Sequence, residues 1–282
     1  MASLYTQMPQ AFSLPTTDEK SNILRRRPSD LSLVSLASDF STFSSDSSNA
    51  STGTRPRRNR HRARRKKQKK EPENLAAKAA AEMNLTQEEQ SQYVALDCEM
   101  VGVGYKGKHS VLARVTLVDW DHNVVLDEFV KQDRPVTDYR TFVSGITADM
   151  LEQPTALDLE TCRKKVVDAI QGKILVGHGL KNDLRALQMS LPWYSVRDTA
   201  KYEPFMKPRF DDGVLWPQSL KVLAKNRLRR DIQVPGEAHC PVEDAATAMD
   251  LYKVARRKWE RAMEYKIKKS LEYEQLKQWK EI

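Results

Sequence analysis

Tyr93-Val94-Ala95-Leu96-Asp97-Cys98-Glu99-Met100 decides how the rest of the chain is read. Its apolar first half carries no turn signal and reads as a buried strand that ends in two carboxylates. Asp97 and Glu99 are two residues apart, so on a strand both project from one face. Paired acids at the end of an apolar strand repel each other and lose hydration, which is costly unless cations sit between them. Hard divalent ions accept such carboxylate oxygens, and a pair of ions can drive phosphoryl chemistry. Taken alone, Asp-x-Glu is more often the wet face of an ordinary strand. The acids and the histidine further along the chain turn the reading.

Beyond the strand, Gly102 and Gly104 mark a turn, and Val111–Val118 reads as a second strand. Asp121-His122-Asn123 is a tight turn into Val124–Val130, which completes an antiparallel meander. Thr137–Val143 and Thr147–Gln153 read as helical turns flanking Ser144-Gly145. Leu159, Cys162, Val166 and Ile170 fall at helical spacing, with Asp158 placed to cap the start and Gly172 the end. Lys173–Gly177 then predicts a short buried strand, Leu180–Met189 a helix, Tyr194–Val196 a strand and Gln218–Arg227 a helix. Pro241, at a first-turn position, opens a last helix through Val242, Ala245, Met249 and Tyr252. This order predicts an α/β fold, a mixed five-stranded sheet flanked by helices.

More carboxylates lie where such chemistry needs them. Asp183 comes after the strand at 173–177 and enters a helix. Asp244 stands one turn into the last helix, and His239 precedes it by five residues in a loop. An acid early in a helix is commonly a dipole partner, and a lone histidine before a helix is commonly structural. The ordered set of five is much rarer than any of its parts.

Asp97, Glu99, Asp183, His239 and Asp244 resemble the five signature positions of the DEDDh 3′→5′ exonucleases. Ala95–Gly102, Val143–Thr147, Val176–His178, Arg197–Thr199 and Val242–Ala245 resemble the RNA exonuclease 4 group within them. The resemblance spans roughly residues 92–258 and implies an RNase H-like fold. It implies that Asp97, Glu99, Asp183 and Asp244 hold two Mg²⁺ ions, with Mn²⁺ as a substitute. His239 is then the base that takes a proton from water, work that suits an imidazole. Met100 and Arg140 match positions that related enzymes place near the terminal sugar. Asp198 reads as a structural acid below the site. The implied substrate is RNA with a free 3′ end, and single-stranded DNA is the alternative. A scaffold in ribosome assembly that keeps the fold for docking is a third reading; it would tolerate loss of a carboxylate or of His239, and all five are present.

Composition bounds the remainder. The formal charge is +9, and Arg55–Lys70 supplies eleven positive charges, so the rest is slightly acidic. Such a like-charged run stays extended and suits a nuclear import receptor or a phosphate backbone. Residues 1–54, with ten serines from Pro28 to Thr54, lack core-forming periodicity and predict a disordered extension. Residues 71–91 read as a linker, 92–258 as the domain, and 259–282 as a charged helical extension with a solvated face, for which basic contact with nucleic acid is the lesser alternative. Three well-separated cysteines argue against a disulfide framework or a zinc site. No apolar run of eighteen exists, so no membrane partner is expected. The expectation is a monomer in the nucleus, at the nucleolus.

Overall fold

A computed structural model describes residues 85–209 and 211–280, and the expectations for 1–54, 55–70 and most of 71–91 lie outside them. A capped turn, α1 (Gln87–Gln90), leads into β1 (Tyr93–Val103), β2 (His109–Val118) and β3 (Val124–Phe129). Next in the chain are β4 (Val136–Asp138), α2 (Thr141–Ser144), α3 (Ala148–Glu152), α4 (Leu159–Ile170), β5 (Ile174–Gly177) and α5 (Lys181–Ala186). Then come β6 (Val196–Asp198), a small hairpin of β7 (Lys207–Pro208) and β8 (Leu215–Trp216), α6 (Leu220–Leu223) and α7 (Pro241–Lys280).

The main sheet runs β3-β2-β1-β5-β6, with β1 antiparallel to β2 and parallel to β5, the mixed five-stranded arrangement expected. A sixth strand, β4, pairs antiparallel with the far end of β1 at Gly102 and Val103. This corrects the helical reading of Thr137–Val143: only Thr141–Ser144 is helical. Thr137 is drawn to the β1–β2 turn, where its hydroxyl donates to the Gly104 carbonyl (2.6 Å) and accepts from the Gly107 amide (3.0 Å).

Alternation along β1 sorts the core into two layers. Val94 and Leu96 pack with Cys162, Val166 and Ile170 of α4 and with Leu180. Tyr93 and Ala95 pack on the opposite face, against Leu220 and Leu223 of α6 and Ala245, Met249 and Tyr252 of α7. Burying such side chains contributes roughly 1.5–3 kcal/mol each. Asp158 caps α4 by accepting the Thr161 amide (2.9 Å), and Pro241 opens α7, both as the sequence predicts.

Three boundaries differ. The strand expected at Tyr194–Val196 lies at Val196–Asp198, which places Arg197 and Asp198 on the sheet. The helix expected over Gln218–Arg227 is a short α-turn, Leu220–Leu223, continued by a π-turn over Ala224–Leu228. No break in α7 marks residue 258. Trp259, Glu260, Met263 and Ile267 are buried, so the start of the supposed extension belongs to the fold.

Arg197 is why. Its side chain is 0% exposed, and it donates to both carboxylate oxygens of Glu260 at 2.7 and 2.8 Å. Tyr252 completes the group by donating to Glu260 (2.8 Å), while Trp259 stacks on Tyr202 at 4.1 Å.

Candidate active site

Asp97 and Glu99 continue the Tyr93–Ala95 side of β1, the face covered by α7. Their polar ends therefore meet the first turn of α7, which supplies Asp244. The parallel pairing of Ala95 with Val176 brings the end of β5 level with Leu96. The chain then turns at Gly179 (φ +75°) into α5, which supplies Asp183. Glu99, Asp183 and Asp244 are buried, at 7%, 6% and 4% exposure. One extra residue, Ala113, interrupts the β1–β2 register opposite Glu99 and Met100. Such a bulge re-aims the strand end next to a site.

Burial raises all four acids, and for Asp97 and Glu99 the other acids add to it. Burial, then Asp183, Asp244 and Glu99, pushes Asp97 well above the usual carboxylate range. Burial and Asp244 raise Glu99 to about 8, against a smaller pull downward from Arg114. Burial raises Asp183 to about 7, and burial also raises Asp244. Asp244 Oδ2 accepts from Gln233 Nε2 (2.8 Å), whereas its buried Oδ1 has no hydrogen-bond partner.

His239 stands at the rim. Its backbone N–H donates to the Val143 carbonyl (2.7 Å), and its Nδ1 lies 3.7 Å from Asp244 Oδ2, beyond hydrogen-bond range. β1, α5 and α7 thus carry the four acids to one end of the sheet, with His239 beside Asp244. Met100 sits beside them on β1, half-buried. Arg140 is tied elsewhere, donating to Ser110 Oγ (2.9 Å) and to the Gly107 carbonyl (3.0 Å) from a left-handed backbone.

One contributor carried no signal of its own in the sequence. Gln233 orients Asp244 from a loop eleven residues upstream. Asp198 supports the site from below: it accepts the amides of Gly179 (2.8 Å) and Ala200 (3.0 Å), fixing the turn that leads to Asp183.

The donor set fits hard divalent cations: four carboxylates, one with a buried orphan oxygen, each raised by burial and most by their neighbours. Among the described residues, no three such side chains yet converge on a single point.

A profile of the exonuclease family that includes RNase T matches residues 94–252. The chain belongs to this exonuclease family. Within it, the human RNA exonuclease 4 is 45% identical over 167 residues, which are 59% of this chain and 38% of that protein. The Candida glabrata RNA exonuclease 4 is 46% identical over 170 residues, 60% of this chain and 62% of that one. The rat apoptosis-enhancing nuclease is 40% identical over 60% of this chain and 50% of its own length. The chain thus spans less than two thirds of these relatives. Among solved structures, the Saccharomyces cerevisiae Pan2 pseudoubiquitin hydrolase–RNA exonuclease module in complex with AAUUAA RNA matches with a TM-score of 0.51 and 29% identity, covering 67% of this chain and 33% of that one.

The protonation of this family site sets a pH dependence. Glu99 and Asp183 titrate above their unfolded values, so the folded, metal-free protein retains protons that the unfolded chain gives up from about pH 4. By linkage, its stability should fall as pH rises from about 4 to about 8. Thermal unfolding in a chelator measures this. Asp183→Asn should flatten the decline; an unchanged slope would show that the carboxylate is not held protonated.

Proposed function

We propose that the chain is a divalent-metal-dependent 3′→5′ exoribonuclease that releases nucleoside 5′-monophosphates from single-stranded 3′ ends. The observation that carries this reading is the meeting of Asp97, Glu99, Asp183 and Asp244, from three separate elements, beside His239. Two Mg²⁺ (or Mn²⁺) ions held by those carboxylates would supply charge neutralisation at the phosphate and a more acidic water. His239 has the reach of a loop residue, and with Nδ1 turned towards Asp244, its Nε2 is the atom to take the water's proton. Gln233 keeps Asp244 oriented while this happens. Met100, next to Glu99 on β1, would contact the terminal nucleotide, and Arg140 would reach it only by leaving Ser110 and Gly107.

The test is a comparison of 3′-labelled RNA and DNA of one sequence, with Mg²⁺ and with a chelator. RNA should be shortened faster than DNA, only with metal, and the enzyme should stop at a stable hairpin. Arg140→Ala should narrow the RNA-to-DNA ratio, because the 2′-hydroxyl is the group that distinguishes the polymers. Equal rates on both polymers would remove the ribose preference.

The same reading places the protein in the nucleus, at the nucleolus, on precursor ribosomal RNA, with Arg55–Lys70 as the segment an import receptor binds. A fusion lacking residues 55–70 should spread into the cytoplasm and keep its nuclease activity. Undiminished nuclear accumulation would refute the targeting role.

A further inference from the structure

The second half of α7 reads, by sequence, as a mixture of both charges. The structure unmixes it. Glu260 turns inward to Arg197, and Met263 and Ile267 mark the same inward side. At about 100° per residue, Arg257, Lys258, Arg261, Tyr265, Lys268 and Lys269 fall together on the opposite, solvent side. All six are exposed. Lys258, Arg261 and Lys268 make no ion pair among the described residues, and Lys269 lies over the Tyr265 ring at 5.6 Å. Glu264 stands at the flank, half-buried, and the stripe meets its next acid only at Glu272. On the N-terminal side, Asp250 is already matched by Arg230 (2.8 Å), His122 (2.8 Å) and Lys253 (3.3 Å). The outward face is therefore a one-signed ridge around an exposed tyrosine, about 17 Å from Lys258 to Lys269 along the axis.

We infer that this ridge is a second RNA-binding surface, which grips the sugar–phosphate backbone of the substrate at a distance from the cleavage site. Cations spaced along a rigid rod match a polyanion, with phosphates opposite Lys258, Arg261, Lys268 and Lys269, and a ring for an unpaired base at Tyr265. The chain's own Arg55–Lys70 run has the same sign and does not complement it. Lys258 lies about 21 Å along the helix from Asp244. The bound part is thus remote from the terminal phosphodiester, and the ridge anchors the body of an RNA whose 3′ tail is in the site. This rests on the reading of the chain as an exoribonuclease.

The test replaces Lys258, Arg261, Lys268 and Lys269 together by Gln, which removes four charges and keeps good helix formers. Binding of the full chain to an RNA hairpin with a short single-stranded 3′ tail is measured in a chelator, across a salt series. The variant should bind at least ~10-fold more weakly at low salt, and the slope of log affinity against log salt should shrink by roughly 3. Hydrolysis of a dinucleotide with Mg²⁺, a substrate too short to span to the ridge, should be unchanged. Unaltered affinity and slope would overturn the inference, as would equal weakening of dinucleotide turnover. Tight binding of an acidic peptide that the same substitutions abolish, with RNA binding intact, would assign the ridge to a protein and also overturn it. If the unmodified chain fails to cleave RNA with Mg²⁺ and the binding difference persists, the exonuclease reading fails and the ridge stands.

Discussion

Asp97→Asn should leave the protein folded and lower its turnover by about 10³-fold or more. Loss of a group that merely supports a metal ligand costs roughly 10–100-fold, and Asp97 is a candidate ligand itself. The substitution is nearly isosteric, so packing of β1 between its two helical layers is kept. It removes the acid that burial, Asp183, Asp244 and Glu99 all strain. The metal-free variant should therefore melt no lower than the parent, with an advantage that grows as pH rises above the ordinary carboxylate range. A low-turnover protein that is also unfolded would say nothing about chemistry, so melting and turnover are read on the same sample. A folded Asp97→Asn enzyme with parental activity would sink the assignment of the carboxylates to metal.

The second large effect lies far from the chemistry. Glu260→Ala should destabilise the fold by roughly 3–5 kcal/mol, the range for removing one partner of a buried ion pair. Arg197 would keep its bonds to the Tyr194 and Val196 carbonyls, at 2.8 and 3.0 Å, but lose its counter-charge while fully enclosed. Tyr252 would lose an acceptor in the same step. Against a typical stability of about 5–15 kcal/mol this is a large share. Replacing both partners by apolar residues, Arg197→Met with Glu260→Leu, should recover much of the loss, since no charge is then stranded. Urea unfolding measures both. A shift below about 1 kcal/mol for Glu260→Ala would mean that water or a neighbour takes over the guanidinium.

The site was more legible than the elements around it. Asp97 and Glu99 were readable because a strand's period of two is rigid, and the two-layer core shows that period intact up to the bulge. Asp183 and Asp244, just inside helices, carried little signal singly, because an acid there is commonly a dipole partner; the ordered set and the family resemblance singled them out. Gln233 was not, because a glutamine in a loop announces nothing until the fold sets it against Asp244. β4 was missed because three residues have no periodicity, and what holds them is the Thr137 hydroxyl in a distant turn. The boundary at 258 fell where charge density rises. Charge density cannot tell a glutamate that faces water from one that faces a buried arginine, so Glu260 was hidden among its neighbours.

The long helix also sets a timetable. During synthesis the chain grows at about 5–20 residues per second, and β1 leaves the ribosome some 150 residues before Asp244 does. Until α7 arrives, Tyr93 and Ala95 lack the layer it supplies, Arg197 lacks Glu260, and the carboxylate cluster lacks its fourth member. The parallel β1–β5 pairing, distant in sequence, is itself slow to form. Nascent chains should thus be assembled last at the place where cutting would occur. On the proposed reading, a nuclease made among ribosomes and their RNAs stays unarmed until α7 is released.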